Sequence, residues 1–334
     1  MNIFRGHSAN DAWTAAAPAF SSSHARSQTS RLGPTRELSQ AAFVIENPRQ
    51  RWVSSRTPPA NIALALAEVI WIVAGRSDSQ FLSAWSKSYT RYVSAASHQH
   101  DAYGSRLRTH FGLDQLTRAA EVLSSNPDSR QVVLQIWDPR LDLPLPDGSP
   151  IDQNVPCNVA CMLKVRDGRL EWTQILRSND FFRGTPYNFV QFTSLQELLA
   201  GWIGIIPGTY THISDSLHVY EHELQLVRAP LHSGVICENT DSLAFGMSDC
   251  LHHFLALEQM VDKISVAVRE DEILDFGNRS LPVPITNLLT IFIAERFRQL
   301  QLHRAAMDAV DRCTNPYLSG AWTTWANHLR RRKQ

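Results

Sequence analysis

Residues 156–188 read PCNVACMLKVRDGRLEWTQILRSNDFFRGTPYN and form the most informative segment of the chain. Apolar residues alternate with smaller or polar ones over 158–166, and a second such run follows over 170–176. This alternation is typical of β-strands, and an Asp-Gly pair between two strands is a strong signal for a tight hairpin turn. The sequence therefore predicts a β-hairpin that returns Arg177 to the side of Cys157.

Cys157 is the candidate reactive group of this hairpin. A cysteine is a useful nucleophile only as the thiolate, which needs a nearby positive group. Arg177, twenty residues further on, is the group that the hairpin would supply. The alternative is that Cys157 is a small buried hydrophobic residue and Arg177 a surface charge.

Four motifs in register extend this interpretation. They are Pro156-Cys157, Arg177-Ser178-x-Asp180, Gly184-x-Pro186-aromatic-Asn188 and His218-x-Tyr220. Their order and spacing resemble the thymidylate synthase family, and four motifs within roughly sixty residues form a specific signal. The resemblance covers most of residues 30–225, whereas the C-terminal third matches much less clearly.

The resemblance implies an α+β fold. In it a large mixed β-sheet is flanked by helices, and the sheets of two subunits pack back to back in a homodimer. We place a single catalytic domain at residues 29–325. Residues 1–28 are rich in Ser and Ala and are expected to form a disordered extension, and residues 326–334 are expected to form a basic tail.

Composition limits the partners. The 334-residue chain carries 32 Lys plus Arg and 32 Asp plus Glu, so no net charge attracts it to nucleic acid. No apolar run reaches the roughly 20 residues of a membrane span. Its five cysteines are an odd number and widely spaced, which favours a reducing cytoplasm over a disulfide framework. No second cysteine pair stands at metal-ligand spacing, so we expect no metal site.

Glu68 is the second candidate catalytic group. Residues 62–74 predict a helix that is apolar nearly all round, with Glu68 as its only charge. Desolvation would raise the pKa of such a carboxyl and make it a proton shuttle. The alternative places Glu68 at a helix edge that reaches water. Residues 67–71 are similar to the family's helix with its catalytic glutamate, which favours the catalytic role.

The resemblance assigns the remaining site residues by position. Tyr103 joins Cys157 and Glu68 in catalysis; Arg31 (or Arg36), Arg130, Arg177 and Ser178 bind the nucleotide phosphate; His218 and Tyr220 hold the sugar; and Asp180 and Gly184 bind the folate. Arg130 is expected to reach the phosphate site of the partner subunit. Gln131 stands where the family carries a second arginine.

Asn188 is expected to bind the base. Its amide both donates and accepts hydrogen bonds, which matches the imide edge of uracil, whereas a carboxylate there would suit the amino group of cytosine. The alternative is that Asn188 caps the helix that follows. Uracil is favoured, and dUMP, dCMP and CMP all stay open as substrates.

The implied reaction transfers one carbon from the co-substrate 5,10-methylenetetrahydrofolate to carbon 5 of a pyrimidine nucleoside monophosphate, after Cys157 has added to carbon 6. Several departures from the family pattern surround the place where folate would shield the intermediate. They are Asn158, Leu176, Ser214-Asp215-Ser216, a basic C-terminus, and Tyr89 near the position of a folate-facing tryptophan.

Excluding water protects a reactive intermediate from hydrolysis, so a less closed site favours a hydroxymethyl product. We therefore expect 5-hydroxymethylation, of the kind used in phage base modification or nucleoside-antibiotic synthesis. The alternatives are an ordinary thymidylate synthase that methylates dUMP, and a nucleotide-binding homologue without turnover.

Overall fold

The computed structural model describes residues 1–30, 32–87, 89, 99–152, 154–228 and 237–332. Arg31, the expected phosphate-binding arginine, lies outside the described residues. Within them, seven strands form one sheet: β1 (Asn2–Gly6), β2 (Arg26–Gln28), β3 (Thr35–Ile45), β4 (Val133–Gln135), β5 (Asn158–Arg166), β6 (Arg169–Asp180) and β7 (Ile206–Tyr220).

The sheet is mixed, with the order β1-β3-β7-β6-β5-β4 and with β2 also paired to β3. The pairs β1–β3 and β6–β7 are parallel, and the others are antiparallel. The parallel step from β6 to β7 needs a crossover, which a long helix supplies. The expected α+β fold with a mixed sheet and flanking helices is confirmed.

Thirteen α-helices accompany the sheet in the described residues, and the last six of them follow β7 in sequence. They are α1 (Ala9–Ala16), α2 (Ile62–Val73), α3 (Ser79–Ser83), α4 (Tyr103–Arg108), α5 (Gln115–Ser125), α6 (Pro139–Asp142), α7 (Thr185–Trp202), α8 (Leu224–Arg228), α9 (Met247–Val266), α10 (Glu270–Phe276), α11 (Val283–Gln299), α12 (His303–Val310) and α13 (Pro316–Arg331). None of these helices in the described ranges is long and apolar enough to cross a membrane.

The central hairpin forms as predicted. β5 turns into β6 through Asp167 and Gly168, whose φ angles of 50° and 68° are both positive, as a type I′ turn requires. At the open end of the hairpin the backbone N–H of Arg177 donates to the carbonyl oxygen of Cys157 at 3.0 Å. The hairpin therefore brings these two residues to the same end of the sheet.

Helices α2 and α7 form the layer that positions the site. Asn61 caps α2, since its side chain accepts a hydrogen bond from the backbone N–H of Leu64 at 3.1 Å. Every residue of α2 except Glu68 is buried. Helix α7, the crossover between β6 and β7, packs between these strands and α2. A polar side chain on either helix at this contact is therefore held by apolar neighbours.

Residues 1–28 differ from the expectation of a disordered extension. β1 adds a parallel strand to β3, and a capping box of Ser8 and Asp11 begins α1. Trp13 is buried, stacks on Phe181 with ring centroids 4.8 Å apart, and donates its indole N–H to the Phe181 carbonyl at 3.1 Å. Ala9, Ala12 and Ala16 are buried, and their small side chains let α1 pack closely on β1 and β3.

The expected basic tail at 326–334 is also corrected, because residues up to Arg331 belong to α13. Leu318, Trp322 and Ala326 recur every four residues and are all buried, so they anchor one face of this helix. The indole N–H of Trp322 donates to Glu295 on α11 at 3.2 Å. The basic residues thus lie at the C-terminal end of a packed helix, where positive charge is favourable.

Candidate active site

A cavity of about 590 Å³ lies between α2, the start of α4, the end of β6, α7 and α13. Seven of the expected site residues line it: Glu68, Tyr103, Cys157, Asp180, Gly184, Asn188 and Tyr220. They come from distant parts of the sequence, and the fold brings them around one space. Arg130, Arg177, Ser178 and His218 are described but do not line this cavity.

Cys157 lies just before β5 and is half-buried. Desolvation raises the pKa of its thiol, and the nearby Arg177 guanidinium lowers it by less. Arg177 donates from Nε to the carbonyl oxygen of Pro156 at 3.0 Å and from Nη2 to that of Val155 at 3.1 Å. The arginine thus fixes the loop that carries the thiol and favours the thiolate, while the free thiol is protonated at neutral pH.

Glu68 faces α7 from the buried helix α2. Burial raises the pKa of its carboxyl from 4.5 to about 7, and a hydrogen bond from Gln191 Nε2 to Oε2, 2.8 Å long, opposes this rise. The rise in pKa expected from the sequence is confirmed. A carboxyl that titrates near neutrality exchanges protons readily at physiological pH.

Tyr103 opens α4 beside Cys157. Burial raises the pKa of its phenol well above the usual range, and interaction with Asn158 lowers it by less. Gly104 lets α4 approach α2 closely, since a Cβ there would lie 2.8 Å from the carbonyl oxygen of Trp71. The phenol is therefore neutral and held in place, able to donate or accept a proton in a hydrogen-bonded relay.

Asn188 lies inside α7, three residues after its first residue. The alternative that it caps this helix is wrong, because Gly184 occupies the cap position. The Nδ2 atom of Asn188 donates to Oδ1 of Asn179 at 3.1 Å. Asn158, which follows the cysteine, is buried, and its Oδ1 accepts from Gln174 Nε2 at 2.6 Å.

Asp180 ends β6 and turns towards the start of α7. Its Oδ1 accepts from the backbone N–H groups of Phe182 at 2.9 Å and Arg183 at 2.7 Å. Burial raises the pKa of this carboxyl, and the two hydrogen-bonded turns hold it at the cavity wall. Arg183 packs its guanidinium over the Tyr220 ring and donates from Nε to Glu223 at 2.8 Å.

The remaining nucleotide-binding candidates are placed as follows. His218 and Tyr220 alternate on β7, and their rings contact each other with centroids 5.7 Å apart, so the two side chains share one face of this strand. Ser178 pairs with Ser216 on β7. Arg130 is exposed in the loop before β4. Arg36, the fallback for Arg31, donates to the carbonyl oxygen of Ser22 at 3.3 Å and does not line the cavity.

Sequence reasoning missed one wall of the cavity. This wall is formed by Arg56, Arg183, Trp325, His328 and Arg332. The last three lie on or just after α13, whose apolar spacing at 318, 322 and 326 was the available signal. Tyr89 does line the cavity, and its hydroxyl donates to Oε1 of Gln99 at 3.2 Å.

A sequence model of the thymidylate synthase family matches residues 44–237. This match covers more than half of the chain and includes the strands and helices that carry Glu68, Tyr103, Cys157 and Asn188. The chain belongs to the thymidylate synthase family.

Curated relatives share part of their length with this chain. A deoxyuridylate hydroxymethyltransferase of Bacillus phage SP01 is 33% identical over 196 residues, covering 55% of this chain and 50% of the relative. One of Pseudomonas phage M6 is 33% identical over 205 residues, covering 60% and 57%. A putative thymidylate synthase of Methanosarcina barkeri is 36% identical over 126 residues, covering 37% and 55%. The chain thus spans about half the length of these relatives.

Proposed function

We propose that this protein transfers one carbon to carbon 5 of a pyrimidine nucleoside monophosphate and that its product is the 5-hydroxymethyl nucleotide. The observation that carries the proposal is the convergence of Cys157, Glu68 and Asn188 on one cavity. A nucleophile, a carboxyl that titrates near neutrality and an amide are the groups needed to attack a pyrimidine ring, move its protons and hold its polar edge.

We assign the covalent step to Cys157 and the proton transfer to Glu68 and Tyr103, which line the cavity. The sulfur of Cys157 adds to carbon 6, and the electron pair of the ring double bond moves to carbon 5. Carbon 5 bonds to the one-carbon unit, which gives up its bond to one of its two folate nitrogens. Glu68 and Tyr103 then serve removal of the proton from carbon 5, and the electron pair left there forms a double bond to the one-carbon unit as the second folate nitrogen leaves, which releases tetrahydrofolate. Water adds its oxygen to the resulting exocyclic methylene and loses a proton, and the sulfur leaves carbon 6 as thiolate, which restores the ring double bond.

The cavity also suits 5,10-methylenetetrahydrofolate, which supplies the one-carbon unit when bound. The lining beyond the catalytic residues includes Trp71, Tyr187 and Trp325, on which a flat heteroaromatic ring packs. The indole Nε1 of Trp325 is buried and has no hydrogen-bond partner among the described residues, so it is a donor that a ligand can satisfy. Asp180 is the expected partner of the heteroaromatic ring of the folate. The guanidinium groups of Arg56 and Arg332 attract the carboxylates of the folate.

Two observations favour hydroxymethylation. Tyr89, Gln99 and Asp101 line the cavity together with Cys157 and Glu68, and their polar groups accommodate the water that quenches the intermediate. The relatives from phages SP01 and M6 are named deoxyuridylate hydroxymethyltransferases. Methylation remains the second candidate, since the relative from Methanosarcina barkeri is named a putative thymidylate synthase.

Product analysis tests the proposal. The protein is incubated separately with dUMP, dCMP, UMP and CMP plus methylenetetrahydrofolate, and the nucleotide and folate products are identified by mass spectrometry. A nucleotide with an added hydroxymethyl group, together with tetrahydrofolate, is expected. A methylated nucleotide with dihydrofolate would show a thymidylate synthase instead, and no product from any of the four would favour a nucleotide-binding homologue without turnover.

We also propose that the active unit is a homodimer. In the single subunit Arg130 is exposed and does not line the cavity, as expected of a residue that serves the phosphate site of a partner subunit.

A further inference from the structure

We propose that Asn179 fixes which end of the Asn188 amide faces the base, so that a buried chain of polar side chains decides between uracil and cytosine. The inference rests on the proposed function, because it concerns the base of the nucleotide that binds in the same cavity. It adds a specificity-determining residue that does not itself need to touch the reacting atoms.

The chain of polar side chains runs from the cavity into the sheet. Asn188 Nδ2 donates to Asn179 Oδ1 at 3.1 Å. Asn179 Nδ2 in turn lies 2.8 Å from Nε2 of His212 and donates to Ser214 Oγ at 3.2 Å. His212 Nδ1 lies 3.0 Å from the hydroxyl oxygen of Tyr210. The Asn188 amide is thus hydrogen-bonded to a network of four further side chains, which are Asn179, His212, Ser214 and Tyr210.

Because these polar side chains are buried, each hydrogen bond between them has one defined donor and one defined acceptor. Asn188 is 7% exposed, Asn179 1%, and His212, Ser214 and Tyr210 are 0% exposed. Burial lowers the pKa of His212 to about 3, so its imidazole is neutral at physiological pH, with one nitrogen as donor and the other as acceptor. With Nε2 accepting from Asn179, Nδ1 carries the hydrogen and donates to Tyr210.

This direction prevents a simple flip of Asn188. Rotating its amide by a half-turn would place its oxygen against Oδ1 of Asn179, so that two acceptors would face each other in a buried place. Avoiding this clash would require Asn179 and the His212 tautomer to reverse as well. Because the bonds are coupled, the Asn188 amide does not turn over independently of Asn179 and His212.

Uracil and cytosine differ in the order of hydrogen-bond donor and acceptor along the edge that Asn188 would contact. Uracil presents a carbonyl oxygen that accepts and an N–H that donates, whereas cytosine presents an amino group that donates and a nitrogen that accepts. These two orders are opposite, so an amide held in one orientation satisfies one base and leaves buried groups of the other unpaired. The names of the phage relatives favour uracil as the base that this orientation selects.

The test compares two replacements of similar size at the same position. Asn179→Asp keeps an acceptor opposite Asn188 Nδ2, and His212 satisfies it by donating from Nε2. Asn179→Leu keeps the volume but removes the acceptor, which frees the Asn188 amide to rotate. The measurement is the ratio of the dissociation constants for dCMP and dUMP, obtained by calorimetry on each full-length variant without folate.

We expect the Leu variant to lower this ratio by about tenfold or more, the effect of one unpaired buried group, and the Asp variant to keep it within about threefold of wild type. Both nucleotides are measured on the same preparation, so loss of folded protein cancels in the ratio. If Asn179→Leu does not fold, Asn179→Ala serves, since it also removes the acceptor.

Ser214→Ala is the matched control, because it removes the 3.2 Å bond to Asn179 but leaves the bond between Asn179 and Asn188. Its ratio is expected to stay close to wild type. Equal ratios in the wild type and the Leu and Ala variants at position 179 would overturn the inference. Failure of the wild type to bind either nucleotide would instead overturn the proposed function, so the two failures are distinguishable.

Discussion

The Nε2 atom of Gln191 donates a hydrogen bond of 2.8 Å to Oε2 of Glu68, joining the crossover helix α7 to the buried helix α2. Burial and this bond act on the Glu68 carboxyl in opposite directions. Burial raises its pKa, and the bond lowers it because it stabilises the ionised form; the net pKa is about 7.

Gln191→Met should move the pH dependence of turnover. The replacement keeps the length of the side chain and removes the donor, so the pKa of Glu68 rises further. If ionised Glu68 accepts the proton from carbon 5, the ascending limb of kcat/KM near pH 7 moves to higher pH. The pH profiles of wild type and variant check this. A limb that stays in place would show that Glu68 does not control it.

Glu68→Gln should abolish turnover and change how stability depends on pH. The folded-state pKa of about 7 lies above the ordinary 4.5, so the folded protein binds the proton more tightly than the unfolded chain. The wild type therefore loses up to about 3 kcal/mol of unfolding free energy as the pH rises from 4.5 through 7. The Glu68→Gln variant has no carboxyl that titrates at this position, so this loss of unfolding free energy is absent from it.

Urea unfolding at pH 5 and pH 8 measures the difference. The drop in free energy between the two pH values should be smaller in the variant than in the wild type. An equal fall in unfolding free energy in the wild type and the variant would contradict the raised pKa of the buried Glu68 carboxyl.

Arg130 and Cys157 should complement each other across a dimer. Arg130→Ala and Cys157→Ala are each expected to lack activity as homodimers. When the two are unfolded together and refolded, a mixed dimer holds one site with both native residues, and activity returns to about a quarter of wild type by random pairing. Activity is assayed with each variant refolded alone as the control. No recovery in the mixture would place Arg130 outside the partner's site.

Trp325→Ala should weaken binding of the folate co-substrate. Trp325 lines the cavity from α13, and its loss removes an aromatic surface and a buried donor. We expect KM for methylenetetrahydrofolate to rise by about tenfold with a smaller change in KM for the nucleotide. Thr324→Ala, an exposed neighbour on the same helix, is the control. Equal increases for both substrates would assign Trp325 a structural role only.

The local parts of this site followed from the sequence. Cys157 and Arg177 flank a hairpin whose alternation and Asp-Gly turn are visible in one short window, and their proximity follows from strand geometry. Glu68 stood out because a single charge interrupts an apolar helix. Both signals depend on neighbours in the chain, which a sequence displays directly.

Contacts between distant segments did not follow from the sequence. Asn179 contacts His212 and Ser214 because β6 and β7 are neighbours in the sheet, although Asn179 and His212 are 33 residues apart in sequence. Residues 1–28 and α13 were missed for the same reason, since their order depends on surfaces that other segments provide.

Covalent trapping is the decisive test of Cys157 as the nucleophile. In a nucleotide with fluorine at carbon 5, the step that normally removes a proton from that carbon cannot proceed. The protein is incubated with 5-fluoro-dUMP and methylenetetrahydrofolate, digested, and analysed by mass spectrometry. We predict a peptide in which Cys157 carries both the nucleotide and the folate, and no such peptide from Cys157→Ala. An unmodified Cys157 peptide, or an adduct on another cysteine, would contradict the account.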